Sequence, residues 1–116
     1  MVAPRTELKV HEVDRGDDSV VLAVAGELDI GTADRLRLAV GEHVRPGIHV
    51  TLDLAQVTFC DSTGLAALVG LYKRLSGADG RLVLHAPIPR VLNLLTVTGL
   101  NRVITVTQPD DAHPSP

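Results

Sequence analysis

From Thr6 to Val13 polar and apolar residues alternate, with Leu8, Val10 and Val13 set among polar neighbours. That period of two lets a strand turn one face to a core. Arg15-Gly16-Asp17-Asp18 supplies Gly/Asp turn chemistry before the next apolar run, so the two segments together predict a β-hairpin. Val20 to Ala25 is apolar without a break, which predicts a strand covered on both sides or set in the centre of a sheet. It ends at Gly26-Glu27-Leu28-Asp29, read as the entry to a loop that carries Glu27 and Asp29.

Ala33, Leu36, Val40 and Val44 recur at the spacing of one helical face. Thr32 stands before them as the N-cap, with Arg35 rather than Glu at the capping-box position, and the helix ends before Pro46-Gly47. Ile48, Val50, Leu52 and Leu54 alternate with His49, Thr51 and Asp53, the signature of a strand running on towards Phe59 and Cys60. Asp61-Ser62-Thr63-Gly64 follows it directly. Leu65, Leu68, Val69, Tyr72 and Leu75 then predict a second helix from about Thr63 to Ser76, with Lys73 and Arg74 in its last turn before Gly77 and Gly80. Arg81 to Ala86 reads as a strand. Pro87 and Pro89 open a third helix that Gly99 stops, and a last strand falls around Val103 to Val106.

The order β-β-α-β-α-β-α-β makes an α/β protein with a mixed sheet, because successive strand-helix-strand crossovers require parallel neighbours and right-handed connections. A chain of 116 residues, 45% of them apolar, has the length and core of one domain. Phe59 and Tyr72 are its only rings, too few to build base-stacking platforms. Two Lys and nine Arg stand singly in a chain of net charge −3 and pI near 5.9, and a phosphate-tracking surface needs such groups clustered. The expected partner is therefore a protein, with no nucleic acid. The single cysteine, Cys60, excludes an internal disulfide and fits a reducing cytosol. The first six residues lack an apolar leader core, and the longest apolar run, Val20 to Ala25, is far short of the about 20 residues of a membrane helix. No membrane contact and a cytoplasmic location are expected.

Asp61-Ser62-Thr63-Gly64 stands between the third strand and second helix, at the carboxyl end of a strand, where open α/β sheets carry their functional crevice. Asp, Ser and Thr are also favoured helix caps, so the turn has a structural duty whether or not it has another. An acidic turn with adjacent hydroxyls, facing solvent at the positive end of a helix, also accommodates a phosphate.

Three blocks carry a resemblance: Gly26-Glu27-Leu28-Asp29; Leu52-Asp53-Leu54 through Phe59-Cys60-Asp61-Ser62-Thr63-Gly64-Leu65; and Ala86-Pro87 with Thr98-Gly99-Leu100. In order and spacing they resemble the bacterial anti-sigma-factor antagonists of the STAS family, over roughly Leu8 to Thr107. The resemblance implies a single STAS-like domain over residues 1–107, a mixed β-sheet with helices packed mainly on one face, and a flexible polar tail over 108–116. It implies a non-enzymatic switch. A cognate anti-sigma factor, itself a serine kinase, phosphorylates the position matched by Ser62, with Thr63 filling the neighbouring hydroxyl position. The unmodified form binds that kinase and frees the sigma factor, and a serine phosphatase restores it. Partner-facing residues would be Glu27, Asp29, Asp61, Ser62, Thr63 and Gly64, in a monomer or weak homodimer. Cys60, where the family often has Met or another apolar residue, and Thr63 in place of a second Ser depart from the pattern without removing the acceptor. An alternative within the fold is a STAS scaffold of a stress-signalling assembly; such proteins usually carry an extra N-terminal domain, which the few residues before Leu8 do not supply.

Other chemistries lack their parts. Position 60 is Cys where a Gly-x-Ser-x-Gly elbow needs its first Gly, and His11, His43, His49, His85 and His113 show neither metal-ligand nor relay spacing. Asp53 imitates the acceptor of a receiver domain, but Lys9 and Lys73 are the only lysines and neither follows a late strand. No Gly-x-x-x-x-Gly-Lys loop is present, and neither a cofactor nor a metal is expected. Cys60 has no basic flank and reads as a buried hydrophobe rather than a redox sensor.

Overall fold

The structure, a computed structural model, describes residues 7–109. Its elements are β1 (Lys9–Arg15), β2 (Ser19–Leu28), α1 (Ala33–Gly41), β3 (His49–Cys60), α2 (Ser62–Gly77), β4 (Arg81–His85), α3 (Pro89–Val97), a 3₁₀ turn (Leu100–Arg102) and β5 (Thr105–Thr107). The expected order holds. The tail, 108–116, lies outside the described residues from 110 onward, as do His113 and the first residue of the expected opening strand, Thr6.

One five-stranded sheet has the order β1-β2-β3-β4-β5. β1 runs antiparallel to β2 as the predicted hairpin, and every later neighbour is parallel. Strand order follows chain order without reversal, so three right-handed crossovers bring α1, α2 and α3 to the same face. One contiguous core results. Val20, Leu22 and Val24 of β2, Val50, Leu52 and Leu54 of β3, and Leu82 and Leu84 of β4 meet Leu36 and Val40 of α1, Leu68, Leu71 and Leu75 of α2, and Val91 and Leu95 of α3. Burying each such side chain stabilises by about 1.5–3 kcal/mol. The continuous apolar run in β2 is not doubly covered: Val21, Ala23 and Ala25, on the opposite face, are half-buried rather than sealed.

β2 and β3 overhang the rest of the sheet. The β3–β4 ladder ends at Asp53↔His85, whereas β2 and β3 stay paired to Leu28↔Cys60. Their register slips between Ala23 and Ala25 and again between Gly26 and Glu27, bulges that re-aim the strand ends. In β3 the buried residues accordingly change from alternation to Leu54, Val57 and Cys60. Gly26 permits the bend. Its φ is +120°, and a Cβ there would stand 2.7 Å from the Glu7 carbonyl oxygen, a conformation and an approach open only to glycine. Asp53, the imitation receiver acceptor, accepts the Ala55 N–H at 3.0 Å and serves the local backbone.

Several boundaries differ from the sequence pattern; α1 stops at Gly41 and leaves Val44, read as part of its apolar face, beyond it. β2 runs through Gly26 and Glu27 to Leu28, so Glu27 is a strand residue and only Asp29 stands in the following loop; pairing with the long β3 recruits a segment whose Gly and Glu read as strand breakers. β5 falls at Thr105–Thr107 because Leu100–Arg102 first close a 3₁₀ turn.

Candidate functional site

The overhang ends in two adjoining chain segments. Asp61, at the end of β3, has extended backbone (φ −108°, ψ −171°) and is the N-cap of α2, its Oδ1 accepting the Gly64 N–H at 3.0 Å. The Asp61 carbonyl accepts the Leu65 N–H at 2.9 Å, starting the helix, and the Asp61 N–H donates to the Leu28 carbonyl at 3.2 Å. The start of α2 is thereby tied to the end of β2. Gly64 makes the same junction tight: a Cβ would lie 2.5 Å from Leu28 O, 2.8 Å from Leu28 Cγ and 2.9 Å from Cys60 Sγ.

Ser62 is the first helical residue, one position earlier than the pattern of apolar residues places the helix, and it is exposed. Capping belongs to Asp61, and among the described residues the Ser62 hydroxyl makes no hydrogen bond. Thr63 is half-buried beside it. Gly64, expected on the partner-facing surface, is buried against β2; it lets α2 close on the sheet.

The second segment, Asp29 to Thr32, is held by its own hydrogen bonds. Asp29 Oδ1 accepts the Gly31 N–H at 2.9 Å, and the Asp29 carbonyl accepts from Thr32 N and Ala33 N at 3.1 and 2.8 Å. Thr32 occupies the cap position of α1 without making a side-chain cap. Its hydroxyl instead donates to the Glu27 carbonyl at 2.7 Å and accepts the Asp29 N–H at 2.9 Å, so it fastens the loop to the end of β2. Thr32→Val keeps the shape but removes both bonds. It is expected to lower stability by about 1–2 kcal/mol, seen as an earlier thermal unfolding midpoint that Thr32→Ser largely restores; an unchanged midpoint in the Val variant contradicts the fastening role.

Glu27, Asp29 and Asp61 give this end of the molecule three carboxylates, none in an ion pair among the described residues. Glu27 and Asp29 line a cleft of about 530 Å³ with Leu8, Thr32 and Arg35, and Arg35 Nε donates to the Leu8 carbonyl at 2.7 Å, holding α1 to the start of β1. Ile30, between the two fastened ends of the loop, is 81% exposed. The sequence pattern gave Ile30 no place; the signal was a large apolar residue that neither the strand nor the helix period could use.

Cys60 is buried with its Sγ 3.6 Å from the Asp61 carbonyl. Burial, with the Asp61 charge adding to it, pushes its thiol up to about 11. The protonated thiol is thus favoured in the folded state. Stability is expected to fall as pH rises from about 9, the unperturbed value, through about 11, since only the folded state resists losing this proton. Cys60→Ala removes that part of the pH dependence, as read from denaturant midpoints; an identical alkaline profile in both proteins contradicts it. At pH 8 the native thiol should also alkylate far more slowly than the unfolded one.

Among the described residues no group of three or more His, Cys, Asp and Glu is placed to hold a metal ion, and no helix is long and apolar enough to cross a membrane. A monotonic five-stranded sheet with an acidic, hydroxyl-bearing turn at its overhanging strand ends defines an α/β domain of the STAS class. A family model described as Mlab, STAS domain matches residues 11–106. An anti-sigma-B factor antagonist of Listeria monocytogenes is 36% identical over 100 residues, 85% of this chain and 88% of the relative. The crystal structure of an anti-sigma factor antagonist from Mycobacterium paratuberculosis superposes with a TM-score of 0.71 at 30% identity, over 90% of each chain. The antagonist SpoIIAA in its unphosphorylated form shares the fold, with a TM-score of 0.71 at 21% identity over 90% of this chain and 92% of that one. The chain belongs to the STAS domain family, among the bacterial anti-sigma factor antagonists.

Proposed function

We propose that this protein is an anti-sigma factor antagonist that Ser62 switches. In the unmodified state it binds a cognate anti-sigma factor, a serine kinase, and frees the sigma factor that kinase holds. The kinase transfers the γ-phosphoryl group of ATP to Ser62 Oγ, giving ADP, and the phosphorylated form releases the kinase; a serine phosphatase returns the hydroxyl with water as co-reactant. Glu27, Asp29, Asp61, Ser62 and Thr63 form the docking surface. The domain itself is non-catalytic and acts in the cytoplasm.

One observation carries this reading: Ser62 is exposed at the first position of α2 while Asp61 does the capping. The hydroxyl is spare, so modifying it removes no hydrogen bond of the fold. Phosphoserine adds about −1.5 to −2 charge at neutral pH. The helix N-terminus offsets part of that charge inside the domain. A docked partner gains no such offset and meets a dianion beside Asp61 in a site stripped of water.

Incubating the protein with anti-sigma factor kinases and ATP, then mapping phosphate by mass spectrometry, tests the acceptor. Phosphate on the Ser62 peptide that disappears in Ser62→Ala is the expected result; phosphate elsewhere, with Ser62 unmodified, overturns it.

A further inference from the structure

We infer that Ile30 is the apolar anchor by which the docking surface holds its partner, and that the partner presents an apolar socket rimmed by Lys or Arg. This rests on the docking role proposed above and specifies its chemistry.

Ile30 is 81% exposed, the most exposed large apolar side chain among the described residues; Leu38 at 72% and Val97 at 69% follow. Scattered apolar exposure needs no explanation, but the placement of Ile30 differs from that of Leu38 and Val97, and Phe59, half as exposed, pairs with Glu27 at the same strand ends. It stands on the loop that leaves β2 two residues after Leu28, and Leu28 is bonded to Asp61 at the mouth of α2. The loop is rigidified on both sides of Ile30. Asp29 takes the Gly31 N–H after it, and Thr32 takes the Asp29 N–H before it while donating to Glu27 O. No bond in this set involves the Ile30 side chain, so the loop displays it rather than packs it. A pre-ordered display lowers the entropy lost on binding, and an aliphatic side chain seated in a pocket can serve as the central anchor of an interface.

Charge sets the rim of the socket. Glu27 and Asp29, which flank the loop of Ile30, have no ion-pair partner among the described residues, so a complementary surface carries cations opposite those two carboxylates, while Asp61 is engaged in capping α2 through the Gly64 N–H. A phosphate at Ser62 adjoins Asp61 rather than Glu27 and Asp29, so it lies against the apolar seat with no cation opposite it and is desolvated there on docking. The partner chemistry committed to is a protein with a basic-rimmed apolar socket, not a second copy of this chain, whose own strand ends are acidic and would repel.

The test uses the kinase that phosphorylates Ser62, immobilised on a biosensor without ATP, and the full chain in solution. Ile30→Ala is expected to weaken binding about 10- to 100-fold, mainly through faster dissociation, with an unchanged thermal midpoint and an unchanged dependence on salt. Ile30→Leu should recover most of the affinity, and Val97→Ala, at the far end of α3, should leave it untouched. Asp29→Asn, which keeps the acceptor for Gly31, should slow association and flatten the salt dependence. If Ile30→Ala binds as wild type while phosphorylation of Ser62 still abolishes binding, the anchor is wrong and the switch stands. If the wild-type chain binds no such kinase, the functional reading fails and the anchor with it. If the wild-type chain is a dimer by light scattering that Ile30→Ala dissociates, a second copy occupies the patch and the inference is overturned.

Discussion

Gly64→Ala is expected to destabilise the protein by about 2 kcal/mol, lowering its thermal midpoint by about 6–10 °C, while Gly70→Ala, six residues further along the same helix, raises it by a few degrees. Alanine is the better helix former at both positions, by up to about 1 kcal/mol. What decides the sign is the space. At Gly70 nothing lies within 4 Å of an added Cβ, so the gain is kept. At Gly64 the new atom meets the Leu28 carbonyl at 2.5 Å, Leu28 Cγ at 2.8 Å and Cys60 Sγ at 2.9 Å. The first of these is backbone committed to Asp61 N–H and the other two are core atoms, so none can retreat without opening the junction of β2, β3 and α2. Because Ser62 rides on that junction, the same substitution should also weaken kinase binding. Calorimetric or dichroism melts of the two variants check the claim; shifts of the same sign contradict it.

Ser62→Asp is expected to reduce affinity for the anti-sigma factor kinase about 100-fold or more without lowering the thermal midpoint. An aspartate at the first position of α2 interacts favourably with the helix dipole, by about 0.3–1 kcal/mol, so the isolated domain tolerates it. In the proposed docking the same carboxylate is desolvated with no cation opposite it, at a cost of several kcal/mol. Ser62→Ala, which removes a hydroxyl without a structural hydrogen bond, should fold as wild type and keep binding to within a few-fold, yet refuse phosphate. The pair separates charge from loss of the side chain. Equal loss of binding in both variants, or none in either, contradicts the mechanism.

Much of this was legible in the sequence because local rules and the global fold agree along most of the chain. Val50, Leu52 and Leu54 alternate as β3 requires, Leu65, Leu68 and Leu75 repeat as α2 requires, and Pro89 at the first turn of α3 does what its fixed φ allows. Asp61-Ser62-Thr63-Gly64 stood out because capping residues followed an apolar strand. Where structure and local pattern part, tertiary pairing overrides local propensity. Gly26 and Glu27 look like the end of a strand, yet β3 is long enough to hold them in one, and the bend that Gly26 permits is invisible without its neighbour Glu7. Thr32 sits where a cap belongs but spends its hydroxyl backwards, on Glu27 and Asp29, a choice set by the loop's closure. Gly64 is legible as part of the turn and not as buried, since its two nearest contacts come from Leu28 of β2, more than thirty residues earlier in the chain.

The most direct measurement is calorimetric titration of the anti-sigma factor kinase with unmodified protein and with protein phosphorylated stoichiometrically on Ser62, each paired with its own thermal melt. A hydroxyl that no part of the fold relies on predicts tight binding before modification, loss of at least two orders of magnitude in affinity after it, and melting curves that coincide. Equal affinity in the two states, or an affinity loss that comes with a collapsed melting temperature, would contradict it.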